Sequence, residues 1–130
     1  MIATKQEIFN KVYLGLAKQK FVQALKNYSC CYYDNKTKRR CAIGQLGSIQ
    51  SAKKWQTMGG TVKCLIENYK INTKYVNKKH MDFLYELQSI HDFWGSRDSE
   101  VMKQKLEEFA KINKLKIPKL NDKKLKISKK

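Results

Sequence analysis

The residues able to do chemistry in this 130-residue chain are few. They are four cysteines (Cys30, Cys31, Cys41 and Cys64), two histidines (His80 and His91), and Asp92 beside the second histidine. Sulfur and imidazole in this number suffice for one tetrahedral zinc, with Cys31, Cys41, Cys64 and His91 as the candidate set. The usual Cys-x2-Cys knuckle is absent. Adjacent Cys30 and Cys31 on a strand would face opposite sides, so only one of them joins a given site. Free cysteine is most often a small buried hydrophobe, and that is the reading adopted, with no cofactor expected. The second chemistry is a thiol enzyme, with Cys41 as nucleophile, His91 as base and Asp92 orienting the ring. Neighbouring positions on an α-helix project about 100° apart, which argues against Asp92 orienting His91. The chain is therefore read as non-catalytic, with the Cys41/His91 enzyme as an alternative.

Charge points to binding. Lys plus Arg is 28 against 11 Asp plus Glu, a net of +17, and this implies a polyanionic partner. Residues 1–40 carry 9 basic and 2 acidic residues, 41–80 carry 7 and 1, 81–110 carry 3 and 7, and 111–130 carry 9 and 1. Two basic zones thus flank an acidic one. The best local surface is Lys36, Lys38, Arg39 and Arg40 with Tyr32 and Tyr33. Cations neutralise phosphates there, and an aromatic face such as Tyr33 would stack a base or sugar. Lys123, Lys124, Lys126, Lys129 and Lys130 add sequence-independent phosphate contacts at the C-terminus. A solvated hairpin tip and a solubilising tail are the plainer readings of the same residues, and Lys-rich usage (25 Lys to 3 Arg) fits them. The sign of the charge excludes a mimic of DNA.

The elements that would position these residues read as follows. Thr4 and Glu7 form a capping box that opens a helix to about residue 19, with Ile8, Phe9, Val12, Tyr13 and Leu16 on its apolar face. Cys30–Tyr33 and Lys38–Ile43 read as two strands joined by an Asp34-Asn35-Lys36-Thr37 turn. Ser48–Thr57 is ambiguous, with Ile49 and Trp55 as anchors. Thr61 caps a short helix burying Val62, Leu65 and Ile66. Asn77–Trp94 is one long helix, with Phe83, Leu87, Ile90 and Trp94 on its stripe and Leu84 and His91 beside it; Gly95 ends it. Asp98 or Ser99 caps a last helix to about residue 114 that buries Met102, Leu106 and Phe109, with Ala110 and Asn113 as further candidates for that face, and Pro118 ends the pattern. No apolar run approaches the roughly 20 residues of a membrane span, and the N-terminus lacks a signal-peptide core. A cytoplasmic protein with reduced thiols is expected.

Three fragments together carry a resemblance. They are Thr4-Lys-Gln-Glu-Ile-Phe-Asn-Lys-Val12; Cys31-Tyr-Tyr33 with Arg40-Cys-Ala-Ile-Gly44; and Leu87-Gln-Ser-Ile-His-Asp92. The chain resembles a group of small phage and prophage proteins of unknown function that share Cys-x-Tyr, Arg-Cys-Ala-Ile/Val-Gly and Leu-Gln-x-x-His-Asp motifs. The resemblance spans roughly residues 4–95 and brings no activity with it. It implies a phage setting, hence the host cytoplasm, and a target among host machinery such as a defence or CRISPR-type nucleoprotein complex.

The expectation is a single α+β domain over residues 1–115: a short β-hairpin packed on about four helices, with a basic extension over 116–130. Its function would be non-catalytic contact with nucleic acid or a host nucleoprotein, without a membrane. A virion-associated structural protein is the remaining alternative.

Overall fold

The capping box at the start of the chain forms as its residues dictate. In the computed structural model, which describes residues 2–26, 29–94 and 99–120, Glu7 N–H donates to Thr4 Oγ1 (3.1 Å) and Thr4 N–H donates to Glu7 Oε1 (2.9 Å). Helix α1 (Lys5–Lys18) follows and buries Ile8, Phe9, Val12, Tyr13, Leu16 and Ala17. Ser48 caps α2 (Ile49–Met58), which anchors through Ala52 and Trp55, while Ile49 is half exposed. Thr61 caps the short α3 (Val62–Glu67), and Val62, Leu65 and Ile66 enter the core. The fourth helical segment is not one continuous α-helix. A 3₁₀ turn (Lys78–His80) leads into α4 (Met81–Ser89), which then widens into a π turn (Ile90–Trp94). Helix α5 (Ser99–Ile112) buries Met102, Leu106, Phe109 and Ala110.

One contiguous core joins these faces. Phe9 stacks on Tyr13 (5.6 Å) and Phe109 (6.4 Å), and Phe109 meets Phe83 (5.1 Å). Deleting one of the fully buried leucines, such as Leu87 or Leu106, would cost roughly 2–5 kcal/mol by transfer plus cavity. Residues 113–120 stay on the body after α5. Leu115, Ile117 and Leu120 pack on the core, and Lys116 exchanges both backbone bonds with the Gln6 side chain.

The fold is all-helical, which corrects the α+β expectation. Among the described residues five α-helices form it, and no hairpin spans Cys30–Tyr33 and Lys38–Ile43. The extended pairing among the described residues is two residues long on each side, Leu25–Lys26 against Ser29–Cys30. Side chains explain the loss. A ladder needs the backbone groups of both strands, but Tyr32 N–H donates to Gln56 Oε1 (2.7 Å). Arg40 N–H donates to Gln19 Oε1 (3.1 Å), and Arg40 C=O accepts from Gln19 Nε2 (2.8 Å). Backbone bonds do run between the two segments, from Asp34 N–H to Arg39 O and from Cys41 N–H to Cys31 O. Burial agrees. Cys31, Tyr32 and Tyr33 are all buried, as are Cys41, Ala42 and Ile43, where a hairpin with one wet face would alternate. Ile43–Leu46 continues as a 3₁₀ turn.

Candidate anion-binding cleft

Helix α1 ends in a Schellman-type turn. Phe21 N–H reaches Leu16 O (2.8 Å) and Lys20 N–H reaches Ala17 O (2.9 Å), which puts Lys20 in left-handed backbone (φ 58°). Phe21 is buried against Tyr13. That anchor leaves Lys18 and Lys20 exposed at the end of the helix.

The turn residues chosen from sequence build the facing loop. Asp34 Oδ1 accepts from Lys36 N–H (3.0 Å), and Asp34 Oδ2 accepts from the Thr37 hydroxyl (2.8 Å). Lys38 N–H returns to Asp34 O (2.7 Å), with Lys38 at φ 65°. Lys38 is exposed, and Arg39 and Arg40 are half-buried. The two segments enclose a cleft of about 430 Å³ lined by Lys18, Lys20, Lys38, Arg39 and Arg40, with Gln19 and Gln45 among its other residues. Among the described residues no carboxylate and no aromatic ring lines it.

Below the cations lies an amide network. Gln19 Nε2 donates to Val22 O (3.1 Å) and Arg40 O (2.8 Å), while its Oε1 accepts from Arg40 N–H and from Gln45 Nε2 (both 3.1 Å). Gln45 Nε2 also reaches Arg40 O (3.2 Å). Gly15 leaves room for Gln45, since a Cβ there would overlap its amide. Arg40 Nη1 donates to Gly44 O (3.1 Å) and Gly47 O (2.8 Å), so this guanidinium ties down the 3₁₀ turn as well as adding charge.

The other sequence candidates land elsewhere. Tyr33 is buried beneath Lys53, whose Nζ lies 5.3 Å from the ring centroid, so it offers no stacking face. Tyr32 is buried and its hydroxyl donates to Gly60 O (2.6 Å). Lys36 is exposed on the turn but does not line the cleft. Lys123, Lys124, Lys126, Lys129 and Lys130 lie outside the described residues, as do Gly95 and Asp98.

The thiols and imidazoles of the described residues do not converge. Among the described residues no cluster of three His, Cys, Asp or Glu side chains is placed to hold a metal. Cys31 and Cys41 are buried, and Cys41 Sγ accepts from Gly44 N–H (3.4 Å). Cys64 is half-buried and accepts from Asn68 Nδ2 (3.3 Å). His80 Nε2–H donates to Ala3 O (2.8 Å), while its buried Nδ1 has no hydrogen-bond partner among the described residues.

His91 is the instructive case. The π turn brings its Nδ1 within 2.8 Å of Asp92 Oδ1, the contact that simple α-helical geometry argued against. This resembles a catalytic dyad, but Nε2 accepts from Ala24 N–H (3.0 Å). The lone pair a general base needs is therefore occupied, and the proton sits on Nδ1, facing Asp92. Gln88 completes the network, donating to Asp92 Oδ1 (2.7 Å) and accepting from Ile43 N–H (3.2 Å). Gln23 Nε2 reaches His91 O (2.9 Å) and Asp92 O (2.6 Å). These bonds bind three parts of the chain together, and they account for His91 fully.

A larger cleft of about 540 Å³ lies beside this network, walled by Val62, Tyr85, Gln88, Asp92 and Phe93. Among the described residues, no cation and none of those singled out for partner binding lines it. Among the described residues no helix is long and apolar enough to cross a membrane. No family model matches the chain, and no curated protein or solved structure matches it either.

The residues sequence reasoning missed are Lys18, Lys20, Gln19 and Gln45. The signal for Lys20 was present. It follows the last helical residues where glycine is usual, so a lysine there is forced into left-handed backbone at the surface.

Proposed function

We propose that this protein is a non-catalytic binding protein that grips a phosphate-bearing polymer, a nucleic acid or the nucleic acid of a larger assembly, through the basic cleft. One observation carries the reading: Lys18, Lys20, Lys38, Arg39 and Arg40 converge from two chain segments on a cleft that no carboxylate lines among the described residues. Like charges so gathered repel one another, and an anion relieves that repulsion. A lining of cations and amides among the described residues favours contact with phosphate rather than stacked bases, hence binding that tolerates any sequence. A phage protein directed at a host nucleoprotein is the setting that joins this chemistry to the sequence resemblance.

The test is a salt titration of binding to mixed-sequence oligonucleotides, with the parent and the Lys20→Gly/Lys38→Gly double variant. Glycine suits both left-handed positions, so charge is removed without unfolding. Losing two phosphate contacts should lower the slope of log affinity against log salt by about 1.5–2. No binding at low salt, or an unchanged slope in the double variant, refutes the reading.

A further inference from the structure

The charged residues of the cleft sit on two segments that share no secondary structure. One is the C-terminal turn of α1 and the other is the loop over residues 34–40. What holds them at a fixed separation is neutral. Gln19 pairs with both backbone groups of Arg40, N–H to Oε1 (3.1 Å) and C=O from Nε2 (2.8 Å). This is the two-bond exchange that a neighbouring strand would make, supplied instead by one side-chain amide. The same amide fixes its own segment through Val22 O (3.1 Å), and Gln45 braces it from below (3.1 Å).

We propose that Gln19 is the positioning residue of the anion site: it presets the gap between Lys18/Lys20 and Lys38/Arg39 so that one phosphate meets cations from both sides at once. The inference rests on the reading of the cleft as a phosphate site. One lysine in each segment holds left-handed backbone, Lys20 at φ 58° and Lys38 at φ 65°. Such geometry is unfavourable for a residue with a Cβ and persists where the surroundings impose it. Prealignment matters because ordering two flexible cationic segments at the moment of binding would subtract from affinity.

Gln19→Met tests this, because it keeps side-chain length and net charge and removes all four bonds. The probe is a fluorescent mixed-sequence single-stranded oligonucleotide. Affinity should fall about tenfold, and the salt slope should drop by about 1, since the two sides no longer engage one phosphate together. Asn77→Ala is the control for instability alone. It removes side-chain bonds to Thr73 O and Lys74 O, far from the cleft in sequence and outside its lining. It should leave affinity and slope unchanged. A folded Gln19→Met protein that binds like the parent overturns the proposal. If that variant does not fold, Gln19→Asn replaces it, whose shorter amide cannot make both bonds to Arg40, and parental binding there overturns the proposal equally. The two readings fail separately. Loss of binding in Lys20→Gly/Lys38→Gly with none in Gln19→Met leaves the cleft standing and removes the role of Gln19. Parental binding in the lysine variant removes the cleft itself.

Discussion

Replacing His91 by leucine separates a structural imidazole from a catalytic one. Leucine is close to histidine in volume, so the change leaves little cavity and removes only polarity. Two bonds are lost. Ala24 is 2% exposed, and its N–H loses its acceptor, Nε2, at 3.0 Å. A buried, unsatisfied amide costs about 1–3 kcal/mol. Asp92 loses the imidazole N–H at 2.8 Å, but its carboxylate keeps Gln88 and is 37% exposed, so water replaces the partner at a cost of about 1 kcal/mol. Together the loss is about 2–4 kcal/mol, and the midpoint of thermal unfolding should fall by roughly 6–15 °C for a chain of this size. Calorimetry or circular dichroism measures it. The amide resonance of Ala24 should shift and lose exchange protection. A variant whose stability stays within about 0.5 kcal/mol of the parent would refute the structural assignment and reopen His91 as a working base.

Three further outcomes follow from single sites. Lys114 closes α5 in left-handed backbone (φ 57°), with Leu115 N–H bonded to Ala110 O (2.7 Å), so Lys114→Gly should raise stability by about 0.5–1 kcal/mol in a denaturant melt, and a loss would contradict the strain argument. The Thr4 N–H bonded to its carboxylate holds Glu7 below the ordinary 4.5; the stability it contributes is therefore present above about pH 4.5 and lost as pH falls through the lowered value. Glu7→Gln should flatten that acid limb, and an identical pH profile in the variant would exclude the effect. Mapping after native alkylation near neutral pH should leave the buried Cys31 and Cys41 unmodified while Cys64 reacts, whereas stoichiometric labelling of Cys41 would revive the thiol-enzyme alternative.

The sequence by itself determined the helices whose signals are local. Thr4 with Glu7, Thr61, and the spacing of Phe83, Leu84 and Leu87 act within one or two turns, and neighbours in sequence are enough to read them. It also determined the Asp34–Thr37 turn, because Asp34 bonds residues two and three positions on. Whether the flanking segments paired was settled elsewhere. Gln19 and Gln56 take backbone groups that a ladder would use, and both are distant in sequence from the groups they bind. Local β-propensity carries no information about such competitors. The same limit governed the site. Charge counts pointed to a polyanion, but they could not place Lys18 and Lys20 opposite Lys38 and Arg39, nor bury Tyr33 beneath Lys53. The His91–Asp92 contact depended on a π turn, and the occupancy of Nε2 depended on Ala24, a residue 67 positions away. Periodicity reports which face of an element is apolar. The choice of partner for each polar group is made only when distant segments meet.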